Sequence, residues 1–490
     1  MRRSRLLIAA CALVTAACGT TVPASQLQSA GLQDGTGTAG SGASGLAGGA
    51  NGSSSVGGAG TSGTVAGGTT GQPGATSPTV TGSSSGTTSG SLSSVAGSTG
   101  DRTPVKVGFE VIKGGNAAVA AAFGTPVNFG DGKAEITAIV DDVNAHGGVG
   151  GRKIVPFIAE LNVADGDSGR DAGCRSMTED NHVQFIITVI NISQAFATCA
   201  AKHGVPVINA SFGSGDDGLY ATIGKYLYSP SLLSLNREES VVLDALHASG
   251  KAGASTLVGV ITDDTHDQIA SRVYKATMDP KLNSWGVKHE VFSVAQESDI
   301  SAAVLRFQTD NVKTVVFVAP SGVIEVLFMN AADNQQYRPD YGLGDSTDPW
   351  FIANAAPPEQ VKHIYGAGSL PISNVEVARY PTTPREKACL DLIRARGENN
   401  ADRHGSLTAT LYCEAIREFT AVGAVAVGPL TTDSFAAAYP KVGTTYAPIS
   451  TFAIDFGTGR HDNASQYRLL AYTAACGCVT YTSGSRPVPS

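Results

Sequence analysis

Six polar side chains stand where apolar runs of the sequence end, at positions suited to binding a small solute. They are Asn191, Ser193, Ser211, His266, Asp267 and Asp345. Hydroxyls, amides and one or two charged groups can replace the water around a polar solute without any bond chemistry. Each of these side chains could equally be a capping hydroxyl or a solvated loop carboxylate. They are therefore candidates for ligand binding.

Motifs for catalysis and for metal binding are incomplete in this chain. A nucleophile elbow needs G-x-S-x-G, and the nearest string, at residues 209–213, lacks the first glycine. Residues 165–171 resemble half of a calcium loop, but Arg170 occupies its glycine position and Ser176 stands where its last glutamate belongs. We interpret this stretch as a polar loop before a helix. No coherent catalytic set emerges, so we predict a protein that is not an enzyme and has no cofactor and no metal.

Strands that alternate with helices are predicted from residue 104 onward. The clearest strands cover residues 105–111, 153–158, 184–190, 205–208, 256–262, 314–318 and 363–366. Helices are predicted over 130–146, where paired glycines end the helix, and over 193–203. An Asn236…Glu239 capping pattern opens another helix. This alternation is typical of an α/β fold with doubly wound parallel sheets. Such sheets bind ligands beyond the carboxyl ends of their strands, where the six candidates lie.

The first hundred residues have the composition of an export signal followed by a linker. Arginines precede an apolar run that is too short to cross a bilayer. Small residues before Cys18 resemble a bacterial lipobox, although ordinary cleavage with a free thiol is the alternative. We predict a signal peptide over residues 1–17. Residues 18–101 are predicted to be a lipidated Cys18 and a disordered Gly/Ser/Thr linker.

Size and charge restrict what the remaining chain, residues 102–490, can do. The chain has a net charge of −8, and three of its basic residues lie in the predicted signal. An acidic body without basic blocks argues against binding to nucleic acid or to anionic lipid. The body is also larger than one hydrophobic core usually organises, which predicts two lobes. We expect contact with the membrane through the lipid anchor alone.

The body contains six cysteines, an even number that suggests disulfides in an exported protein. The predicted pairs, chosen as neighbours in the sequence, are Cys174 with Cys199 and Cys389 with Cys413. Cys476 and Cys478 admit a redox-active disulfide, part of a metal site or a structural pairing. The structural pairing is favoured because no CxxC partner accompanies them.

The string NAHGGVGGRKI at residues 144–154 closely resembles the end of the first helix in one family. The family is the type I periplasmic substrate-binding proteins, in the branched-chain amino acid-binding branch of ABC transporter receptors. Further similar strings, in the family's order, cover residues 185–211, 255–276 and 459–472. The resemblance spans about residues 104–482 and implies two lobes joined by three hinge crossings. The implied lobes cover about residues 104–226 with 366–448, and about 227–365 with 449–482.

The resemblance also implies roles for some candidate residues. Ser193 and Ser211 stand where the family offers hydroxyls to the ligand, and Asp345 is the nearest match to an acid that pairs with a ligand ammonium. The pair Cys174 and Cys199 matches a disulfide position common in the family.

Two segments depart from the family pattern. The first loop, residues 113–131, is longer and more apolar than the family's turn, and His266-Asp267-Gln268 replaces its Tyr-Gly. The ligand is therefore expected only to be a small polar organic solute, such as an amino acid, an amide or an organic acid.

Together these features predict a monomeric receptor anchored to the outer face of the cell membrane. It would capture a small-molecule ligand and deliver it to the permease of an ABC transporter. A ligand-sensing receptor of the same fold for a signalling partner is the alternative. An exported α/β hydrolase is a second, less favoured alternative.

Overall fold

The computed structural model describes residues 101–114, 130–162, 165–319, 322–397 and 405–489. The predicted signal peptide, Cys18 and the linker up to residue 100 lie outside the described residues. So does most of the loop over residues 113–131. Within the described ranges, no helix combines the length and the apolar character needed to cross a membrane.

The strands follow the chain in this order: β1 (Val105–Lys113), β2 (Ile154–Asn162), β3 (Phe185–Thr188), β4 (Val207–Asn209), β5 (Leu227–Tyr228), β6 (Leu257–Asp263), β7 (Lys288–Val294), β8 (Thr314–Val318), β9 (Asp340–Leu343), β10 (Ile364–Gly368), β11 (Gln466–Thr473), β12 (Cys478–Tyr481) and β13 (Arg486–Pro487). The strands in the first part of the chain pair separately from those that follow, so they form two sheets.

The α-helices are α1 (Gly132–Ala145), α2 (Gly166–Arg175), α3 (Gln194–Lys202), α4 (Asp217–Ile223), α5 (Leu235–Ala248), α6 (Ile269–Val273), α7 (Asp279–Ser284), α8 (Ile300–Thr309), α9 (Val323–Asn334), α10 (Pro349–Ala355), α11 (Pro358–Val361), α12 (Pro371–Asn374), α13 (Pro384–Ala395), α14 (Leu407–Val425) and α15 (Thr432–Ala438). A π-helical turn extends α2 (Ser176–Asp180) and another extends α6 (Tyr274–Met278).

Each sheet is the centre of one lobe. The first sheet has the order β2-β1-β3-β4-β5, and all its pairings are parallel. The second sheet has the order β12-β11-β10-β9-β8-β6-β7, with β13 on β11. It is parallel from β10 to β7, while β11 and β12 pair antiparallel. The predicted α/β fold with two parallel-sheet lobes is confirmed.

The chain passes between the lobes three times. It leaves the first sheet after β5, and after β10 it returns to the first lobe. There α14 and α15 pack under β3 and β5: the Phe185 and Phe419 rings lie 5.0 Å apart, and the Tyr228 and Phe435 rings 5.2 Å. The third passage precedes β11. The three expected crossings are therefore present, and the exact lobe boundaries stay a prediction.

Local sequence explains where the elements begin and end. Asp131 caps α1, because its carboxylate accepts hydrogen bonds from the N–H groups of Lys133 (3.0 Å) and Ala134 (3.2 Å). After this helix Gly148 has a φ of +68°, and a Cβ there would lie 2.0 Å from the Arg152 carbonyl oxygen. Only glycine fits such a turn, so the helix stops where the paired glycines predict.

Two local predictions are wrong. Helix α5 begins at Leu235 with Ser234 as its cap, whose hydroxyl accepts from the Arg237 N–H at 3.4 Å. Asn236 instead binds outside the helix, accepting from the Asp217 N–H at 2.8 Å, because its side chain faces a neighbouring element. The predicted polar loop over residues 165–171 is mostly the first half of α2.

Disulfides link helices in the first lobe. Cys174–Cys199 joins α2 to α3, and Cys389–Cys413 joins α13 to α14, with sequence separations of 25 and 24 residues. A loop of that length contributes about 3 kcal/mol through the entropy of the unfolded chain. The structure also pairs Cys476 with Cys478, between β11 and β12.

Candidate ligand-binding cleft

The carboxyl ends of the parallel strands carry the loops that hold the candidate residues. In the first lobe, Asn191 and Ser193 lie between β3 and α3, and Ser211 follows β4. In the second lobe, His266 and Asp267 follow β6, and Asp345 follows β9. We call the space between these two sets of loops the cleft.

The structure brings Asn191 and Ser211 together around one glycine. The Asn191 side-chain oxygen accepts from the Gly213 N–H at 3.0 Å, and the buried Ser211 hydroxyl donates to the Gly213 carbonyl at 2.8 Å. Ser193 is half-buried and caps α3 by accepting from the Phe196 N–H at 3.3 Å. All three thus have a local structural role, and their ligand contacts stay a prediction.

A buried ion pair between β1 and α2 contacts the loop that follows β3. Glu110 on β1 is fully buried and pairs with Arg170 on α2, with an Nη2–Oε2 distance of 3.2 Å. Arg170 also donates to the Asn191 carbonyl at 2.6 Å and lies over the Phe196 ring. The pair therefore fixes the start of the loop after β3.

Residues 266–272 of the second lobe, which we call the bridging segment, contact the first lobe. His266 Nδ1 lies 3.3 Å from Asp167 Oδ2, and the Asp267 carboxylate accepts from the Gln194 N–H at 3.3 Å. The hydrogen bond to Asp167 raises the pKa of His266, and the same bond lowers the pKa of Asp167. Two candidate residues thus face the opposite lobe.

The strongest contact of the bridging segment is a two-pronged ion pair. Arg272 donates through Nε and Nη2 to the two carboxylate oxygens of Asp216, both at 2.9 Å. Its Nη1 also reaches the Gln194 side-chain oxygen at 3.2 Å. The Asp216 side chain is only 4% exposed, so this pair is worth more than one at the surface.

Asp345 lies in an interior network, where the structure favours a positioning role. Its carboxylate accepts from the N–H groups of Ser369 (2.9 Å) and Leu370 (3.0 Å) and from the Asn374 amide (2.7 Å). The Ser369 hydroxyl donates to it as well. Burial raises the pKa of Asp345. These donors occupy the carboxylate and tie the end of β9 to the second crossing, which argues against an ammonium partner.

A hollow of about 740 Å³ lies between the lobes outside the strand ends. Charged side chains of α2 and α3 and the bridging segment line it, among them Arg175, Lys202 and Arg272. Asp267 is the one candidate residue in its wall, so the hollow differs from the predicted site.

Comparison of the chain with protein families gives one match that covers most of it. Residues 123–475 match the model of a family described as periplasmic binding protein. This stretch holds the strands from β2 to β11, which belong to both sheets, and all six candidate residues. The chain belongs to the periplasmic binding protein family.

Solved structures of other binding proteins share the fold of this periplasmic binding protein. The branched-chain amino acid transporter substrate-binding protein LivJ from Streptococcus pneumoniae, in complex with isoleucine, has a TM-score of 0.54 and 18% identity. The match covers 79% of this chain and 99% of that one.

An ABC transporter solute-binding protein from R. palustris, in complex with 4-hydroxybenzoate, has a TM-score of 0.58 and 14% identity over 79% of this chain and 98% of that one. A possible leucine/isoleucine/valine-binding protein from Rhodopirellula baltica has a TM-score of 0.55 and 14% identity, covering 80% of this chain and 97% of that one. No curated protein sequence matches the chain. The resemblance noted in the sequence is confirmed for family and fold.

Sequence reasoning missed the partners of the bridging segment in this periplasmic binding protein. Asp216 precedes α4 and is recognisable as a helix cap, since it accepts from the Leu219 N–H at 3.2 Å. Its ion pair with Arg272 joins residues that are 56 positions apart in the sequence. A local sequence pattern cannot predict such a contact.

Proposed function

We propose that this periplasmic binding protein is an extracytoplasmic receptor that captures a small polar organic solute between its lobes. The solute is passed to an ABC importer in the cell membrane. The family supports the receptor function. The ligands of the related structures, isoleucine and 4-hydroxybenzoate, differ in chemistry, so they support a small organic solute and no narrower class.

The contacts of the bridging segment carry this proposal. They are hydrogen bonds and ion pairs between lobes, such as Asp216–Arg272 and Asp167–His266. Polar contacts of this kind exchange with water when two lobes separate, so they suit a cleft that opens to admit a solute and closes over it. Strand-end loops of both lobes then supply the groups that bind it.

The anchor belongs to the same proposal. After export, lipidation of Cys18 would hold the protein on the outer face of the membrane. A Gly/Ser/Thr linker of the length between Cys18 and Asp101 has an end-to-end distance on the order of 50 Å. That reach lets the receptor body stand away from the membrane while it stays near a permease.

A thermal-shift panel on the purified protein tests the receptor function. The protein is first unfolded and refolded with its disulfides intact, which removes solute carried through purification. The panel contains amino acids, amides, aromatic acids, nucleosides and polyamines. A ligand at about 100 times its Kd adds about 2.7 kcal/mol to the free energy of unfolding. We expect one chemical class to raise the melting temperature.

A flat response to every class would count against the receptor function. Turnover of esters or amides in a parallel screen would favour the hydrolase instead. A solute that raises the melting temperature without being consumed is the expected result.

A further inference from the structure

Six carboxyl groups gather in the second lobe at the carboxyl end of its sheet. They are Asp263, Glu238, Glu239, Glu325, Asp345 and Asp348, which we call the acidic cluster. Asp263 ends β6, Glu325 lies in the first turn of α9 after β8, and Asp345 follows β9. Because β9, β8 and β6 are neighbours in the sheet, these acids share one edge, which faces the cleft.

Two acids of the cluster have no hydrogen-bond partner on any other described residue. Glu239 is 1% exposed and Glu325 is fully buried, and both oxygens of each side chain are unsatisfied. By contrast, Glu238 accepts from the Ser346 N–H at 2.8 Å, and Asp348 from the Phe351 N–H at 3.3 Å. A buried, unpaired carboxylate is among the costliest groups a fold can hold.

The cluster disfavours the ionised form of its carboxyls. Burial is the main cause that raises the pKa of Glu239, and the neighbouring charges of Glu238 and Glu325 raise it further. Burial also raises the pKa of Glu325, with added repulsion from Asp263 and Asp348. Glu239, near the start of α5, and Glu325, in the first turn of α9, therefore lie at the same end of the sheet.

Lysine and arginine side chains do not balance the cluster. Among the described residues, none of its six acids forms an ion pair with a lysine or an arginine. Arg237, which precedes Glu238 in the sequence, pairs with Asp462, and Arg272 of the bridging segment pairs with Asp216. The described side chains also form no group of three or more ligands arranged for a metal ion.

We propose that the two unpaired acids of the acidic cluster, Glu239 and Glu325, bind the amino groups of an organic diamine or polyamine that enters through the cleft. This inference rests on the proposed receptor function and names its ligand class. Asp263, at the end of β6, is half-buried and so is the more accessible acid at this end of the sheet. Ammonium groups at Glu239 and Glu325 would supply the hydrogen bonds and the charge that these carboxyls lack.

The test measures binding of 1,4-diaminobutane and spermidine to the refolded full chain by calorimetry and thermal shift. Three matched probes separate charge from shape: butylamine, 1,4-butanediol and succinate. We expect the two polyamines to bind, butylamine to bind more weakly, and the neutral and anionic probes to give no shift.

Isosteric variants locate the site. Glu325→Gln and Glu239→Gln each remove one carboxyl that an ammonium group could ionise, and are expected to weaken diamine binding by about tenfold or more. Glu418→Gln is the matched control, because Glu418 is equally buried and unpaired but lies on α14 of the first lobe. It should keep the wild-type affinity. The melting temperature of each variant without probe shows that it is folded.

The outcomes separate this inference from the proposed function. Diamine binding that is lost in Glu325→Gln and Glu239→Gln but kept in Glu418→Gln supports the cluster. Diamine binding that is equal in all variants places the amine elsewhere and overturns the inference. Binding of a neutral or anionic solute without any diamine response also overturns it, while the receptor function stands. Failure of every solute class counts against both.

Discussion

At the scale of single residues, hydrogen-bond partners distinguish two kinds of buried acid in the second lobe. Asp345 accepts from three groups of the second crossing in addition to the Ser369 hydroxyl. Glu325, equally buried, accepts from no other described residue. Replacing a carboxylate that accepts several hydrogen bonds breaks those bonds. Replacing a buried carboxyl that has no hydrogen-bond partner instead removes the free-energy cost of burying it. The same chemical change should therefore have opposite effects on stability at the two positions.

Asp345→Asn is expected to destabilise the protein while leaving solute affinity nearly unchanged. The new amide group would face the donors of Ser369, so we expect a loss of about 2 kcal/mol in the free energy of unfolding. Denaturant unfolding and calorimetric binding measure the two quantities. Glu325→Gln is the comparison and should raise stability. An Asp345→Asn variant with unchanged stability and abolished amine binding would restore Asp345 as the ammonium partner.

At the scale of elements, the bridging segment controls how the lobes meet. Its Arg272 binds Asp216 at the start of α4 and also Gln194 at the start of α3. Two helices of the first lobe are thus held by one side chain of α6. Since the Asp216 carboxylate is nearly inaccessible to water with the lobes in contact, losing Arg272 would leave it unpaired and favour separation of the lobes.

Arg272→Ala is therefore expected to shift the lobes toward an open arrangement. A loss of about 1.5–3 kcal/mol for a charged hydrogen-bonded pair changes the ratio of closed to open molecules by tenfold or more. Fluorescence transfer between a dye on each lobe measures this ratio. Arg306→Ala is the control, because Arg306 pairs with Glu290 at 2.9 Å within the second lobe. Equal transfer in both variants would contradict a closing role for Arg272.

The elements were predictable where local pattern decides them. The strand over Thr314–Val318 is fully buried, and its continuous apolar run predicts the same boundaries. The cap of α5 was misplaced, because Ser234 and Asn236 are both plausible caps and a tertiary contact selects Ser234. Contacts across the cleft, such as Asp216–Arg272, depend on how the two lobes meet. The spacing of residues in the sequence therefore does not predict them.

One signal for the acidic cluster was present in the sequence. Glu239 falls at helical spacing with Leu235, Val242 and Leu246, which are all buried on one side of α5. A glutamate within an apolar stripe departs from the usual amphipathic pattern and marks a charge that the fold must bury. That it lies near Glu325, from another helix, could be known only from the packed structure.

At the scale of the whole molecule, buried acids link stability to pH. Burial raises the pKa of Glu238 to about 8 and that of Asp348 to about 7. A carboxyl with a raised pKa stays protonated in the folded protein while it ionises in the unfolded chain. Its contribution to stability is complete below its ordinary pKa, 4.5 for Glu238, and is lost as the pH rises through the raised value.

The free energy of unfolding should fall between pH 6.5 and about 8.5. Above pH 6.5, the ordinary histidine value, His461 with its lowered pKa no longer opposes this trend. We expect a loss of about 2 kcal/mol, or roughly 2–3 °C in melting temperature. Glu238→Gln and Asp348→Asn should each flatten the profile, because their raised pKa values set this window. His266→Gln is the control: His266 has a raised pKa and the same sign but is more exposed, so most of the slope should remain. A slope that disappears with His266 alone would assign the pH dependence to the bridging segment.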